Sequence, residues 1–127
     1  MTKPSALIIE DDPKLGTIFQ IALQQVGFEA EIDSTGKQFS TNFSSSAPVP
    51  NLIILNIHLP YASGQEIIRQ IRSDVRWAAT VVIVTTADLF LAKSMEKLAD
   101  HVLIKPVSVE RIMKIVASRW PEYFKSY

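Results

Sequence analysis

Four short runs, Ala6–Ile9, Leu52–Ile57, Val81–Val84 and Val102–Ile104, are apolar almost throughout and do not alternate apolar with polar positions. A strand that is apolar on both faces is buried on both faces, which predicts a parallel sheet covered by helices. A weaker, more alternating run at Phe28–Ile32 predicts a fifth strand at an edge.

Between these runs the spacing turns helical. Asp12-Pro13 reads as an N-cap followed by proline at the first helical position; Leu15, Ile18, Phe19, Ala22 and Val26 follow, and Gly27 stops the helix. Ser63-Gly64-Gln65-Glu66 has the form of a capping box and opens a helix that buries Ile67, Ile68, Ile71 and Val75. Asp88 caps a short helix to about Ala99, with Leu91, Met95 and Leu98 on one side. Ser108 caps the last, with Val109, Ile112, Met113 and Val116 inward, and Pro121 ends it. Gly36–Ala47, which contains the polar patch Ser44-Ser45-Ser46 and precedes Pro48, predicts a short or irregular helix and a loop. Strand and helix alternate five times, so the predicted class is an α/β doubly wound sheet. Chemistry in such a sheet collects beyond the carboxyl ends of the strands.

Composition narrows the chemistry. The 127 residues, 47% hydrophobic and 20% charged, form one domain (1–127) able to build a core. Thirteen basic residues balance thirteen acidic ones, so no basic stripe for direct nucleic-acid binding is supplied. Without cysteine there are no disulfides, thiolate metal sites or cysteine nucleophiles, and two histidines, His58 and His101, do not make a histidine-rich metal site. Only Met1–Ser5 precedes the first apolar run, and no run approaches the ~20 apolar residues of a membrane span. The expectation is a soluble, cytoplasmic domain that makes no membrane contact.

At the strand ends stand acids, an amide, a hydroxyl and an ammonium. The first strand is followed by Glu10-Asp11-Asp12, three carboxylates that repel one another unless a cation is near; oxygen ligands there suit Mg²⁺. The plain alternative is that Asp12 is only a helix cap and Glu10 only a solvated charge. The third run ends Leu55-Asn56-Ile57-His58-Leu59-Pro60, the fourth Thr85-Thr86-Ala87-Asp88 and the fifth Lys105-Pro106. Singly, Thr86 fits an ordinary strand residue and Lys105 a surface lysine. Together they have the composition of a phosphate-and-magnesium pocket.

The chain resembles, from end to end, the receiver domain of two-component response regulators. The resemblance lies in Ile8-Ile9-Glu10-Asp11-Asp12, in Pro50–Pro60 with Gly64, in Thr86-Ala87, and in Ala99-Asp100 leading to Leu103-Ile104-Lys105-Pro106. It implies a (βα)5 flavodoxin-like receiver fold with strand order 2-1-3-4-5 and helices on both faces. It also implies a signalling role rather than an enzyme's. In that family an aspartate after the third strand, assisted by Mg²⁺, takes a phosphoryl group from a histidine kinase. Glu10 and Asp11 match the acidic pair, the His58 backbone carbonyl the further metal ligand, Thr86 the switch hydroxyl and Lys105 the paired lysine. By the same resemblance the Lys105–Pro106 bond is expected to be cis, and no organic cofactor is expected.

The chain departs from the family at the decisive place: the phosphoacceptor position is Asn56. Asn51, Val102 and Val107 also replace a common aspartate and two common aromatics. An acyl phosphate forms when a carboxylate oxygen attacks phosphorus, and a neutral amide offers no such oxygen. Loss of that charge also weakens Mg²⁺ binding, and Lys105 is expected to lean toward Asp11 or the Asn56 carbonyl. The reading is a pseudo-receiver that works without phosphorylation. The alternatives are an ordinary receiver carrying an Asp-to-Asn change and a flavodoxin-like nucleotide or flavin binder. Against the last, Glu10-Asp11-Asp12 repels phosphate and the four glycines form no phosphate-binding pattern. The family's output face, the fourth helix, fifth strand and fifth helix, is expected to meet a kinase, an effector or a second copy as a homodimer. Leu91, Met95, Val102 and Val109, with the Trp120–Tyr127 tail beside them, are its candidate apolar patch; their alternative roles are ordinary core positions and a tail folded back on the domain.

Overall fold

The computed structural model describes residues 3–43, 47–60 and 62–124. Strands β1 (Ser5–Ile9), β2 (Glu29–Asp33), β3 (Leu52–Asn56), β4 (Val81–Thr86) and β5 (His101–Ile104) form one parallel sheet in the order β2-β1-β3-β4-β5. Helices α1 (Pro13–Gln25), α2 (Lys37–Asn42), α3 (Gly64–Ser73), α4 (Leu89–Met95) and α5 (Val109–Arg119) alternate with them. Short 3₁₀ turns at Val75–Trp77 and Pro121–Phe124 follow α3 and α5. The predicted α/β receiver-type fold, with that strand order, is the fold observed.

Successive residues of a strand point to opposite faces, and each face has its own core. Ile8, Ile54 and Ile83 pack against Phe19 and Leu23 of α1 and Ile112 and Val116 of α5. Ile9, Ile53, Leu55, Val82 and Val84 pack against Phe39 of α2, Ile67, Ile68 and Ile71 of α3, and Met95 of α4. β3 and β4 are buried along their whole length, whereas edge strand β2 alternates. Each fully buried Ile or Leu contributes roughly 1.5–3 kcal/mol of hydrophobic stabilisation, so the two central strands hold the sheet.

The caps form as expected. The Asp12 carboxylate accepts from the N–H groups of Lys14 and Leu15 at 3.0 and 3.3 Å. Ser63 Oγ accepts from Glu66 N–H, the Asp88 carboxylate from Phe90 and Leu91, and Ser108 Oγ from Arg111. The Lys105–Pro106 bond is cis.

Several expected faces are corrected. Ile18 is half exposed, because α1 turns Gly16, Phe19 and Leu23 inward and Gly16 lies against Ile32. Val75 is exposed, because α3 ends at Ser73 and Asp74 caps a separate turn that buries Trp77 instead. α4 stops at Met95 rather than near Ala99. Met95 is buried, and Leu91, Val102 and Val109 are partly buried against the two cores. These four are core positions, not an apolar surface patch. The chain end folds back: the Trp120 ring stands edge-on to Phe28 at 5.3 Å, and Phe124 packs on the same core. Ser44-Ser45-Ser46 and Lys125–Tyr127 lie outside the described residues.

Candidate functional site

The sheet order reverses direction between β1 and β3, and the residues that follow these strands meet at that crevice. Glu10 follows β1 and Asn56 ends β3; they are 1% and 3% exposed. The chain past Asn56 is held by Ile57 N–H donating to Thr85 C=O and Gly64 N–H donating to Ile57 C=O. Only glycine fits at position 64: a Cβ there would stand 2.6 Å from Ile57 Cα and 2.8 Å from its carbonyl oxygen.

One nitrogen lies at the centre. Asn56 Nδ2 donates to Glu10 Oε2 at 3.0 Å, to Asp11 Oδ1 at 2.9 Å and to the His58 carbonyl at 3.0 Å. On the other side of the amide, His58 N–H donates to Asn56 Oδ1 at 3.2 Å. Three acceptors on one side and a donor on the other fix which way the amide points. The sequence had matched these same three oxygens to magnesium ligands. The amide nitrogen has no lone pair to give a metal, and its two hydrogens are shared among those three oxygens.

The remaining members divide. Lys105 Nζ pairs with Glu10 Oε1 at 3.5 Å. It does not lean on Asp11 or the Asn56 carbonyl, as had been expected, because Glu10 is the buried, more poorly solvated charge, whereas Asp11 is exposed. Burial pushes the Glu10 carboxyl above the ordinary glutamate range. The Asp12 N–H and the Lys105 ammonium oppose that rise, and neighbouring Asp11 adds to it. Thr86 is fully buried at the end of β4, and its hydroxyl accepts from Asp88 N–H at 3.1 Å, so it is committed to its own loop. Asn51 accepts from Ser5 N–H at 2.9 Å, a task that needs an acceptor oxygen but no charge. The sequence reading missed the triple amide contact. Its signal was present: between two carboxylates, an asparagine can only turn its NH₂ inward.

A sheet with this order and an acidic, amide-closed crevice beside a lysine defines a receiver-type signalling domain. The sequence profile of the response regulator receiver domain matches residues 6–117, and the chain belongs to that family. It is 30% identical over 111 residues to the sensory transduction protein RegX3 of Mycolicibacterium smegmatis, covering 86% of this chain and 47% of RegX3. Among solved structures, the response regulator DrrB of Thermotoga maritima, an OmpR/PhoB homolog, is 27% identical with a TM-score of 0.78; the match covers 98% of this chain and 55% of DrrB. The response regulator TrrA of Thermotoga maritima, solved in complex with Mg²⁺ and BeF, shares the fold at 23% identity and a TM-score of 0.75, covering 91% and 97% of the two chains. The chain spans about half the length of the curated relatives it matches. No helix among the described residues is long and apolar enough to cross a membrane.

Proposed function

We propose that this receiver domain signals without accepting a phosphoryl group and binds Mg²⁺ weakly at most, holding one conformation that its partner reads constitutively. The observation that supports it is the Asn56 amide, which stands at the acceptor position and donates to all three candidate metal ligands. With no carboxylate oxygen at position 56 to attack phosphorus and the amide engaging the three candidate ligands, the crevice offers no phosphoryl group by which one of two states would be favoured, and without differential binding no equilibrium shifts. Thr86 and Lys105, the residues matched to the family's switch, are occupied by Asp88 N–H and Glu10.

The partner surface we assign is the α4–β5–α5 face, supported by Leu89 and Phe90, which start α4 at 71% and 82% exposure. A kinase, an effector or a second copy of the chain would dock there, in the cytoplasm, and direct nucleic-acid contact is left to other chains or domains. The test is intact mass after incubation with acetyl phosphate and magnesium. The expected result is no added phosphoryl group; a gain that is lost on hydroxylamine treatment overturns the proposal. A second reading, an otherwise competent receiver with an exchanged acceptor, draws support from the retained Glu10, Asp11 and Lys105. It predicts that Asn56→Asp accepts a phosphoryl group in the same assay.

A further inference from the structure

Helix α1 carries an apolar stripe on the side turned away from the core. At about 100° per residue, Lys14, Ile18, Ile21 and Gln25 fall within roughly 60° of one another, opposite the buried Gly16, Phe19 and Leu23. Steps of four, three and four residues are the spacing of a helix–helix seam. Ile18 and Ile21, at its centre, are each 50% exposed. Thr17 and Gln24 beside them are exposed and neutral, which leaves Lys14 as the one charge among the exposed residues of α1. The outer side of a solvated helix is ordinarily charged. A shallow hollow lined by Pro13, Lys14, Thr17 and Ile18 lies at the N-terminal end of the stripe.

Lys14 is misplaced for its own helix. A helix favours anions at its positive N-terminal end and cations at its negative C-terminal end, yet the first turn of α1 holds no acidic side chain and the last turn no basic one. Lys14 is in no ion pair among the described residues. A second α1 laid antiparallel would correct both ends at once, each Lys14 ammonium meeting the carbonyl end of the other helix. A parallel one would set the two ammonium groups together. The stripe also reads the same in both directions, because the step from Lys14 to Ile18 equals that from Ile21 to Gln25. With a two-fold axis midway between Ile18 and Ile21, each Ile18 meets Ile21 of the other copy, and each Lys14 meets Gln25.

We infer that a second copy of this chain packs on α1 as an antiparallel helix pair, through Ile18 and Ile21. The contact is isologous, with Gln25 of each copy entering the hollow beside Lys14 of the other. α1 covers one face of the sheet and α4 the other, so the exposed Leu89 and Phe90 stay open to a kinase or effector. A single helix pair falls short of the ~1,000 Å² of a stable interface, and the dimer is accordingly weak, with a dissociation constant of about 0.1 mM. It needs nothing from Asn56.

Sedimentation equilibrium of the chain, from micromolar to millimolar concentration, is the test. Ile18→Gln with Ile21→Gln, both at half-exposed positions, should weaken dimerisation about tenfold. Lys14→Glu suits the N-terminus of its own helix and keeps the fold, but sets an acid at the carbonyl end of the other copy, and should weaken dimerisation about threefold. Adding Gln25→Lys should restore it, because positions 14 and 25 meet in the antiparallel register. Leu89→Ser with Phe90→Ser should change nothing, and concentration-dependent amide shifts should fall on Thr17, Ile18 and Ile21. A chain that stays monomeric at millimolar concentration overturns the inference and leaves the stripe to a helix of another protein. So does association that survives the changes at Ile18 and Ile21, that is lost with Leu89 and Phe90, or that Gln25→Lys fails to rescue.

Discussion

Changing Asn56 to aspartate should exchange a built-in donor for a demand for metal. The wild-type amide donates to Glu10, Asp11 and the His58 carbonyl. Aspartate has only acceptors to offer, so these contacts are lost and three carboxylates face one another. A hydrogen bond to a charged acceptor is worth roughly 1.5–3 kcal/mol. The Glu10 contact is buried and counts near the top of that range; the Asp11 end is exposed and screened, and counts at or below the bottom. Protonation of Glu10, whose carboxyl burial already pushes upward, recovers part of the loss. The net cost without divalent ions is about 3 kcal/mol, a fall in Tm of about 10 °C for a chain of this size. Magnesium should then restore the variant, by about 2.7 kcal/mol at roughly 100 times its dissociation constant. Wild type should gain almost nothing. Thermal unfolding of both proteins at mildly alkaline pH, with and without magnesium, reads all four values. Equal stability of the two proteins without metal, or equal stabilisation of both by metal, would refute the reasoning.

Three further outcomes are expected. Because burial raises the folded-state pKa of Glu10, the folded chain holds more protons than the unfolded one just above the ordinary glutamate range. The group's contribution is therefore full at lower pH and is lost as pH rises through the folded value; denaturation of Glu10→Gln across that window should lack this loss. Gly64→Ala places a Cβ against the Ile57 backbone, and should cost about 1–3 kcal/mol in chemical denaturation. Arg72 donates to the carbonyls of Leu98 and Thr80 and to Asp100; Arg72→Met should cost about 1–3 kcal/mol and speed amide exchange chiefly at the end of α4 and the start of β5.

The legible part of this fold was the part set by local pattern. The unbroken apolar runs of β3 and β4 can only be central strands, and Asp12, Ser63, Asp88 and Ser108 announce helix starts through side chains that bond their own next turn. What failed depended on small angular shifts and on distance. Ile18 and Val75 fit a helical stripe on paper, but Gly16 lets α1 roll against Ile32, and Asp74 breaks the helix before Val75. Ring contacts bring Phe39 and Phe43 to Trp77 from more than thirty positions away, which no window along the chain can see. The site was legible as a set of residues, since Glu10, Asp11, Asn56 and Lys105 stand at strand ends. Its wiring was not, because the choice of Glu10 over Asp11 as the partner of Lys105 follows from burial that emerges only on folding.

The most direct test of a receiver held in one state is its response to the phosphoryl mimic. Amide proton–nitrogen spectra of the wild-type chain, recorded with and without beryllofluoride and magnesium, should superimpose at Asn56, Thr86, Leu89 and Val102, and the oligomeric state should not change. Saturable shifts that begin at Asn56 and extend through Thr86 into α4 would mean that the amide-closed crevice still binds the switch ligand, and would contradict the account.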